Sequence, residues 1–242
     1  MSVQRNRVEQ QLDHDAVREF YDHFYYRDVI KRNSPGFHLR RLARRLDPWV
    51  GRQALDIACG TGSWLQAIAE RGAITTGIDI SQVALDVCRK AVPEAELHFG
   101  PAERLPFANQ QFDFISCLGA LEHFLDIESS LREMIRVAKT NAFILLLVPN
   151  ANFLPSRLGL YDGTLQSSLK EQALSLLDWQ ELFESAGLRV KACWKDLHIL
   201  STEWIFRGEY YEWPLRAAQA IALPFWPLNW QYQVYYLCGL NK

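Results

Sequence analysis

Leu55-Asp56-Ile57-Ala58-Cys59-Gly60-Thr61-Gly62-Ser63 decides the fold. Leu55 and Ile57 suit the end of a buried strand. Ala58 through Gly62 are all small, so the backbone can turn tightly and approach a ligand closely. Ser63 is a favourable N-cap for a helix Trp64–Arg71, and Gly72 a favourable residue just past its end. A strand, a small-residue turn and a helix N-terminus together make a nucleotide cradle, of the kind found in open, mostly parallel α/β sheets.

The cradle does not fit a phosphate ligand. A dinucleotide fingerprint needs a third glycine where Leu65 stands, and a phosphate-binding Walker loop needs Gly-Lys-Ser/Thr where Gly62-Ser63-Trp64 stands. Asp56, just before the turn, would repel a pyrophosphate and suits a cationic nucleoside. A nicotinamide dehydrogenase is therefore disfavoured.

The stretch Asp56-Ile57-Ala58-Cys59-Gly60-Thr61-Gly62 resembles the first motif of class I S-adenosylmethionine (SAM) dependent methyltransferases, with Ala58 in place of that family's first glycine. Further motifs follow in the family's order from Ala54 to Val190. Gly77-Ile78-Asp79-Ile80 ends a second strand, with Asp79 placed to accept hydrogen bonds from both ribose hydroxyls. Gly100-Pro101-Ala102-Glu103-Arg104-Leu105-Pro106-Phe107 resembles the adenine-contact segment, but Pro101 replaces the acid that usually bonds the adenine amino group. The Ala102 N–H remains, and Glu103 is a substitute acceptor. Phe112–Leu118 resembles the fourth strand, followed by Gly119-Ala120-Leu121-Glu122-His123, an ending frequent in relatives that include ubiquinone-pathway and cell-envelope methyltransferases. The resemblance implies a type-11-like methyltransferase domain with SAM as cofactor and S-adenosylhomocysteine as product. It implies cofactor contacts at Tyr21, Asp56, Ala58, Cys59, Gly60, Thr61, Gly62, Asp79, Ile80, Pro101, Ala102, Glu103, Leu118 and Gly119. His123, the histidine placed at this strand edge, is the candidate general base; a structural or cofactor-contact role is its alternative.

Composition sets the bounds. The chain of 242 residues suits one domain with a cap or insertion, and 49% apolar residues provide a core. A net charge of −2 gives no bulk electrostatic case for nucleic acid. Cys59, Cys88, Cys117, Cys193 and Cys238 have no metal spacing and read as reduced thiols of a cytoplasmic protein. No metal site is expected, and no apolar run is long enough to span a membrane.

Elsewhere, Val17, Phe20, Tyr21, Phe24 and Tyr25 recur at helical spacing between Ala16 and Asp28. The family resemblance makes this helix a lid, with Tyr21, Tyr25 and Tyr26 facing the methionine end of the cofactor or the acceptor. A second helix, Phe37–Leu46, carries Arg40, Arg41, Arg44 and Arg45. Ser81 and Asp126 should cap helices Gln82–Ala91 and Ile127–Lys139. Ala142–Val148 reads as a strand buried on both faces. Residues 151–175 lack periodicity and read as a substrate lid. Asp178-Trp179-Gln180-Glu181 reads as a capping box, and Leu188–Trp194 as the sixth strand.

The expected organisation is a helical cap (1–50), a Rossmann-like core (51–198), an aromatic-rich insertion (199–230) and a last strand (231–242). The fold class is α/β: seven strands, mostly parallel, the last antiparallel, with helices on both faces. The insertion carries Trp204, Phe206, Tyr210, Tyr211, Trp213, Phe225, Trp226 and Trp230, and should be cut by Pro214, Pro224 and Pro227. It reads as an apolar wall for a greasy substrate, a dimer interface, a membrane-surface contact, or core packing. The expected function is methyl transfer to O, N or C of a small or lipophilic metabolite. The alternative is a non-catalytic SAM-binding or partner-binding scaffold of the same fold.

Overall fold

Apolar residues alternate along the central strands, and the two sets go to opposite faces of one sheet. The computed structural model describes residues 14–26, 34–159, 172–206 and 209–241. Its strands are β1 (Gln53–Ile57), β2 (Ile74–Asp79), β3 (Glu96–Phe99), β4 (Phe112–Leu118), β5 (Ala138–Pro149), β6 (Leu188–Lys195) and β7 (Gln233–Leu240). They form a seven-stranded sheet in the order β3-β2-β1-β4-β5-β7-β6. The first five are parallel, and β7 runs antiparallel to both β5 and β6. The antiparallel insertion of β7 places the β6–β7 connection at the carboxyl edge of the parallel strands, where Pro149 pairs with Gln233.

Leu55, Ile57, Ile115, Cys117, Ile144 and Leu146 share one core face with residues of α5 (Ile127–Val137) and α7 (Leu176–Ser185), among them Leu131, Met134, Trp179 and Phe183. Ala54, Phe114, Leu145 and Leu147 turn the other way. They meet Leu42 and Ala43 of α2 (Phe37–Arg45) and Trp64 and Ile68 of α3 (Ser63–Ala69). A third cluster joins Cys59 and Leu65 to Leu85 and Cys88 of α4 (Gln82–Ala91). The buried indoles are satisfied: Trp49 Nε1 donates to Ala43 O and Trp179 Nε1 to Pro149 O, each at 2.7 Å.

Several boundaries differ from the sequence reading. Ser63 is the first residue of α3 and not its cap. Gly62 holds the cap position in the left-handed region, with φ +83°, which needs no side-chain bond. The capping box of α7 is Ser175 with Asp178, three residues earlier than expected, because the serine hydroxyl accepts from the Asp178 N–H while the aspartate accepts from the Ser175 N–H. Helix α5 ends at Val137, and β5 starts at once at Ala138, four residues before the expected start. The caps at Ser81 and Asp126 stand as read, accepting from Ala84 N and Ser129 N.

At the N-terminus, helix α1 (14–20) runs into a π-helical turn, Tyr21–Tyr25. The end of the expected helix, 27–28, lies outside the described residues, as does the middle of the expected lid loop, 160–171. The described part of that loop carries α6 (Leu154–Arg157). The insertion forms short turns, α8 (Thr202–Ile205) and α9 (Trp213–Ala222). Pro214 begins α9 and does not stop it, since proline at the first turn loses no helical hydrogen bond.

Candidate active site

A cleft opens at the carboxyl edge of β1, β2 and β4, the crevice where open α/β sheets hold ligands. Its floor is Ile57 and Ala58 after β1, Asp79 and Ile80 after β2, Gly100–Glu103 after β3, and Leu118–Ala120 with His123 after β4. Its roof is Val17, Tyr21, Tyr25 and Tyr26 of the α1 region. The turn after β1 alternates left-handed residues: Ala58 at φ 56°, Gly60 at φ 53° and Gly62 at φ 83°. A side chain on Gly60 would stand 2.9 Å from the Tyr26 hydroxyl, and one on Gly62 would strike the Cys88 Sγ. Both glycines are thus demanded by close approach as well as by φ.

Asp79 anchors the centre. One carboxylate oxygen accepts from Gly60 N at 2.7 Å and the other from Ser81 N at 2.8 Å. Burial raises its pKa, and these backbone donors, with that of Ile80, oppose the rise. Asp79 therefore ties the β1 turn to the end of β2 while lining the cleft. Tyr26 packs close by, its phenol held well above its ordinary pKa chiefly by burial and then by the Asp79 charge.

Polar contacts pin the roof on both sides. Asp22 accepts from the Ser81 hydroxyl and, at 3.5 Å, from Val83 N. His14 Nε2 lies 3.3 Å from Glu103 Oε2. Glu103 also accepts through Oε1 from Leu125 N at 3.0 Å and Asp126 N at 3.4 Å. On the far side, His123 sits in a tight turn, Leu121–His123, at 8% exposure. Gln172 N donates to Glu122 O at 2.9 Å, which brings the end of the 151–175 segment against this turn. Gly119 faces Gln233: a side chain at Gly119 would come 3.4 Å from the Gln233 Nε2.

Of the expected contact residues, Tyr21, Ala58, Asp79, Ile80, Pro101, Ala102, Glu103, Leu118, Gly119 and His123 converge on the cleft. Asp56 does not. The alternation that turns Ala54 toward α3 also carries the Asp56 side chain there, and its Oδ1 accepts from Ser116 Oγ at 2.7 Å, which in turn accepts from Trp64 Nε1 at 2.9 Å. Burial lifts the Asp56 pKa to about 7 against the Ser116 bond. Cys59 points into the α4 cluster, Gly62 packs on α4, Gly60 is covered by Tyr26, and Thr61 is off the cleft lining. Conversely, His14, Val17, Phe124 and Leu125 join the lining unforeseen. Val17 carried the helical repeat as a signal, whereas His14 lay in a polar stretch with none. Among the described residues no three His, Cys, Asp or Glu side chains come together as a metal site, and no helix is long and apolar enough to cross a membrane.

Residues 55–146 match a family model described as a methyltransferase domain. The chain is 30% identical over 156 residues to a demethylmenaquinone methyltransferase of Shouchella clausii, covering 60% of this chain and 66% of that one. It is 31% identical over 107 residues to a ubiquinone biosynthesis O-methyltransferase of Coxiella burnetii, covering 43% and 46%. The matches thus span about half to two thirds of the length of these curated relatives. Among solved structures, a chain from the Haloferax volcanii complex of the Trm112 methyltransferase activator with a methyltransferase aligns with a TM-score of 0.71 at 19% identity, over 93% of this chain and 98% of that one. The motif order, the sheet order and the position of the cleft agree with these matches: residues 55–146 are a methyltransferase domain, and the chain has the fold of SAM-dependent methyltransferases.

Proposed function

We propose that the protein binds SAM in this cleft and transfers its methyl group by in-line displacement to an oxygen, nitrogen or carbon of a small or lipophilic metabolite, in the cytoplasm. The observation that carries the proposal is the buried Asp79 carboxylate at the cleft centre, bonded to the β1 turn and roofed by three tyrosines.

The residues present fit the cofactor. The small Ala58 leaves the cleft side of the β1 turn open to close approach. Asp79 can accept from ribose hydroxyls with the lone pairs its backbone donors leave. Tyr21, Tyr25 and Tyr26 line the roof, and an aromatic face turned toward a cation contributes about 0.5–1 kcal/mol where exposed and about 2 kcal/mol where desolvated. Bound SAM supplies a methyl group already activated on a positively charged sulfur.

The chain's own work is alignment, exclusion of water and, for a protonated acceptor, removal of a proton. The roof and the 121–123 turn exclude water from the cleft. The floor residues hold donor and acceptor in line, which in general supplies about 7–11 kcal/mol of a bimolecular barrier. His123 is the group we assign to accept the acceptor's proton when the acceptor is a hydroxyl or an activated carbon; a neutral amine needs none. In this reading the N-terminal segment caps the cleft through its described residues 14–26, 51–198 and 231–242 form the core, and 199–230 flank the acceptor side.

The test is calorimetry with S-adenosylhomocysteine. Asp79→Ala should weaken binding by about 1.5–3 kcal/mol through loss of charge-assisted hydrogen bonds, and unchanged affinity would sink the ribose assignment. A second reading, a partner-binding scaffold of this fold, draws on one observation. Helix α9 turns Leu215 and Ile221 outward, both 75% exposed, with Phe225 just beyond it at 88%. Under that reading the native protein self-associates or sediments with liposomes, and a monomer indifferent to liposomes removes it.

A further inference from the structure

Helix α9 has its apolar side outward. Pro214, Leu215, Ala218 and Ile221 share that side at helical spacing, and Pro224 and Phe225 continue the row just past the helix end. All six are exposed, and no charged or hydrogen-bonding side chain interrupts the row. The polar residues of the helix turn inward instead. The Arg216 guanidinium lies 5.0 Å over the Trp204 ring and donates to Glu212 Oε2 at 2.9 Å; Gln219 is half-buried. A helix packed on a core in water has the opposite pattern, so this face suits an apolar medium. Tyr210 and Tyr211, exposed before the helix, add apolar rings with polar tips, which suit the level of lipid headgroups.

A basic strip adjoins the row. Lys195 Nζ donates to Leu223 O at 2.9 Å, which ties the end of α9 to the end of β6. Next to Lys195, Trp194 carries the Arg45 guanidinium of α2 4.4 Å over its ring, and Lys191 lies 5.8 Å over Phe143. Trp194 and Phe143 both pack on the α2 side of the sheet, so Arg45 and Lys191 share a face. Arg41 and Arg44 are exposed on α2, and neither α2 nor β6 contains an acid. Of the acids around the strip, Asp196 is buried against His198, Glu70 pairs with Arg40, and Glu212 pairs with Arg216. Glu209 is exposed, but it precedes α9, at the opposite end from Lys195.

We propose that the outward row of α9 docks on an anionic lipid bilayer, with the α2–β6 strip meeting the headgroups. Charge selects this occupant. A second copy seated on α9 would bring the same cations alongside and offer them no carboxylates. Anionic headgroups neutralise the strip while the region beneath them takes up the apolar row. The connection that carries α9 leaves the sheet at the carboxyl edge, the edge that also holds the cleft, so docking turns that edge toward the lipid. The inference makes no use of the reaction carried out in the cleft.

The experiment is co-sedimentation of the full chain with vesicles of phosphatidylcholine alone and of phosphatidylcholine with about one quarter phosphatidylglycerol, at low and high salt. The anionic vesicles should bind at least about tenfold more tightly than the neutral ones, and the advantage should fade as salt rises. Leu215→Ser with Ile221→Ser should weaken binding to the anionic vesicles about tenfold or more, and so should Arg41→Glu with Arg44→Glu. Melting temperatures check that each variant is folded; if the α9 pair is not, Phe225→Ser, beyond the helix, tests the same row with a weakening of about threefold or more. A native protein that stays in solution with both vesicles would overturn the proposal, as would binding that the folded apolar variants leave unchanged. A dimer in light scattering that Leu215→Ser with Ile221→Ser dissolves would assign the face to a second copy and overturn it too.

Discussion

Replacing Asp56 by asparagine should make the protein's stability less sensitive to pH. Asp56 is 3% exposed and faces Ser116 behind the cradle. Its folded pKa is raised from 3.8 to about 7, by burial first, with the Ser116 bond opposing. Between those two values the folded protein holds a proton that the unfolded chain has released. Stability therefore falls as pH rises through this window and levels off above the folded pKa. From pH 5 to pH 8 the carboxyl costs about 3 kcal/mol, from roughly two pH units at 1.36 kcal/mol each. Asparagine is neutral throughout and escapes this cost. It brings a fixed penalty for its extra amide donors, but that penalty is the same at both pH values and cancels in the difference. The assay is urea unfolding of both proteins at pH 5 and pH 8. Asp56→Asn should gain about 3 kcal/mol on the native protein between the two, equivalent to roughly 6–12 °C in melting temperature for a chain of this size. A stability difference independent of pH would refute the argument that Asp56 is buried and protonated near neutrality.

Three other outcomes follow from the same geometry. His123→Gln should lower turnover of a hydroxyl acceptor about 100-fold while leaving S-adenosylhomocysteine affinity within about threefold; unaltered turnover would return His123 to a structural role. Gly62→Ala should destabilise by about 2–4 kcal/mol, from a left-handed φ and the collision with Cys88, and a melting temperature equal to that of the native protein would contradict the packing of the cradle on α4. Leu215→Ser with Ile221→Ser should shift the melting temperature of the monomer by no more than about 3 °C, because both side chains are already in solvent; a large loss would show that α9 buries them.

The fold was legible because its signals are local and repeated. The Leu55–Ser63 turn, the both-face burial of β5, and the caps at Ser81 and Asp126 each declare themselves in a few residues. The cleft lining was legible where a strand end fixes a residue in space, as at Asp79, Leu118, Gly119 and His123. It was misread where side-chain direction matters. Asp56 is two residues along β1 from Ala54, so it inherits the α3 face, and nothing in the motif alone tells that face from the cleft. Its partner Ser116 is 60 positions away in the chain, and Trp64, which donates to that serine, is 8 positions away. The contact of His14 with Glu103 spans 89 positions and joins the roof to the floor. The capping box of α7 slipped three residues because Ser175 and Asp178 both suit a cap, and only the backbone path after residue 172 chooses between them. Pro214 was misjudged because a proline reads alike as the end of one helix and the start of another.

The most direct test of the account is calorimetric titration of the native protein with SAM and with S-adenosylhomocysteine. Binding of both with micromolar dissociation constants and one ligand per chain is the predicted result. A folded protein that binds neither would contradict the assignment of the Asp79 cleft to this cofactor, and with it the proposed methyl transfer.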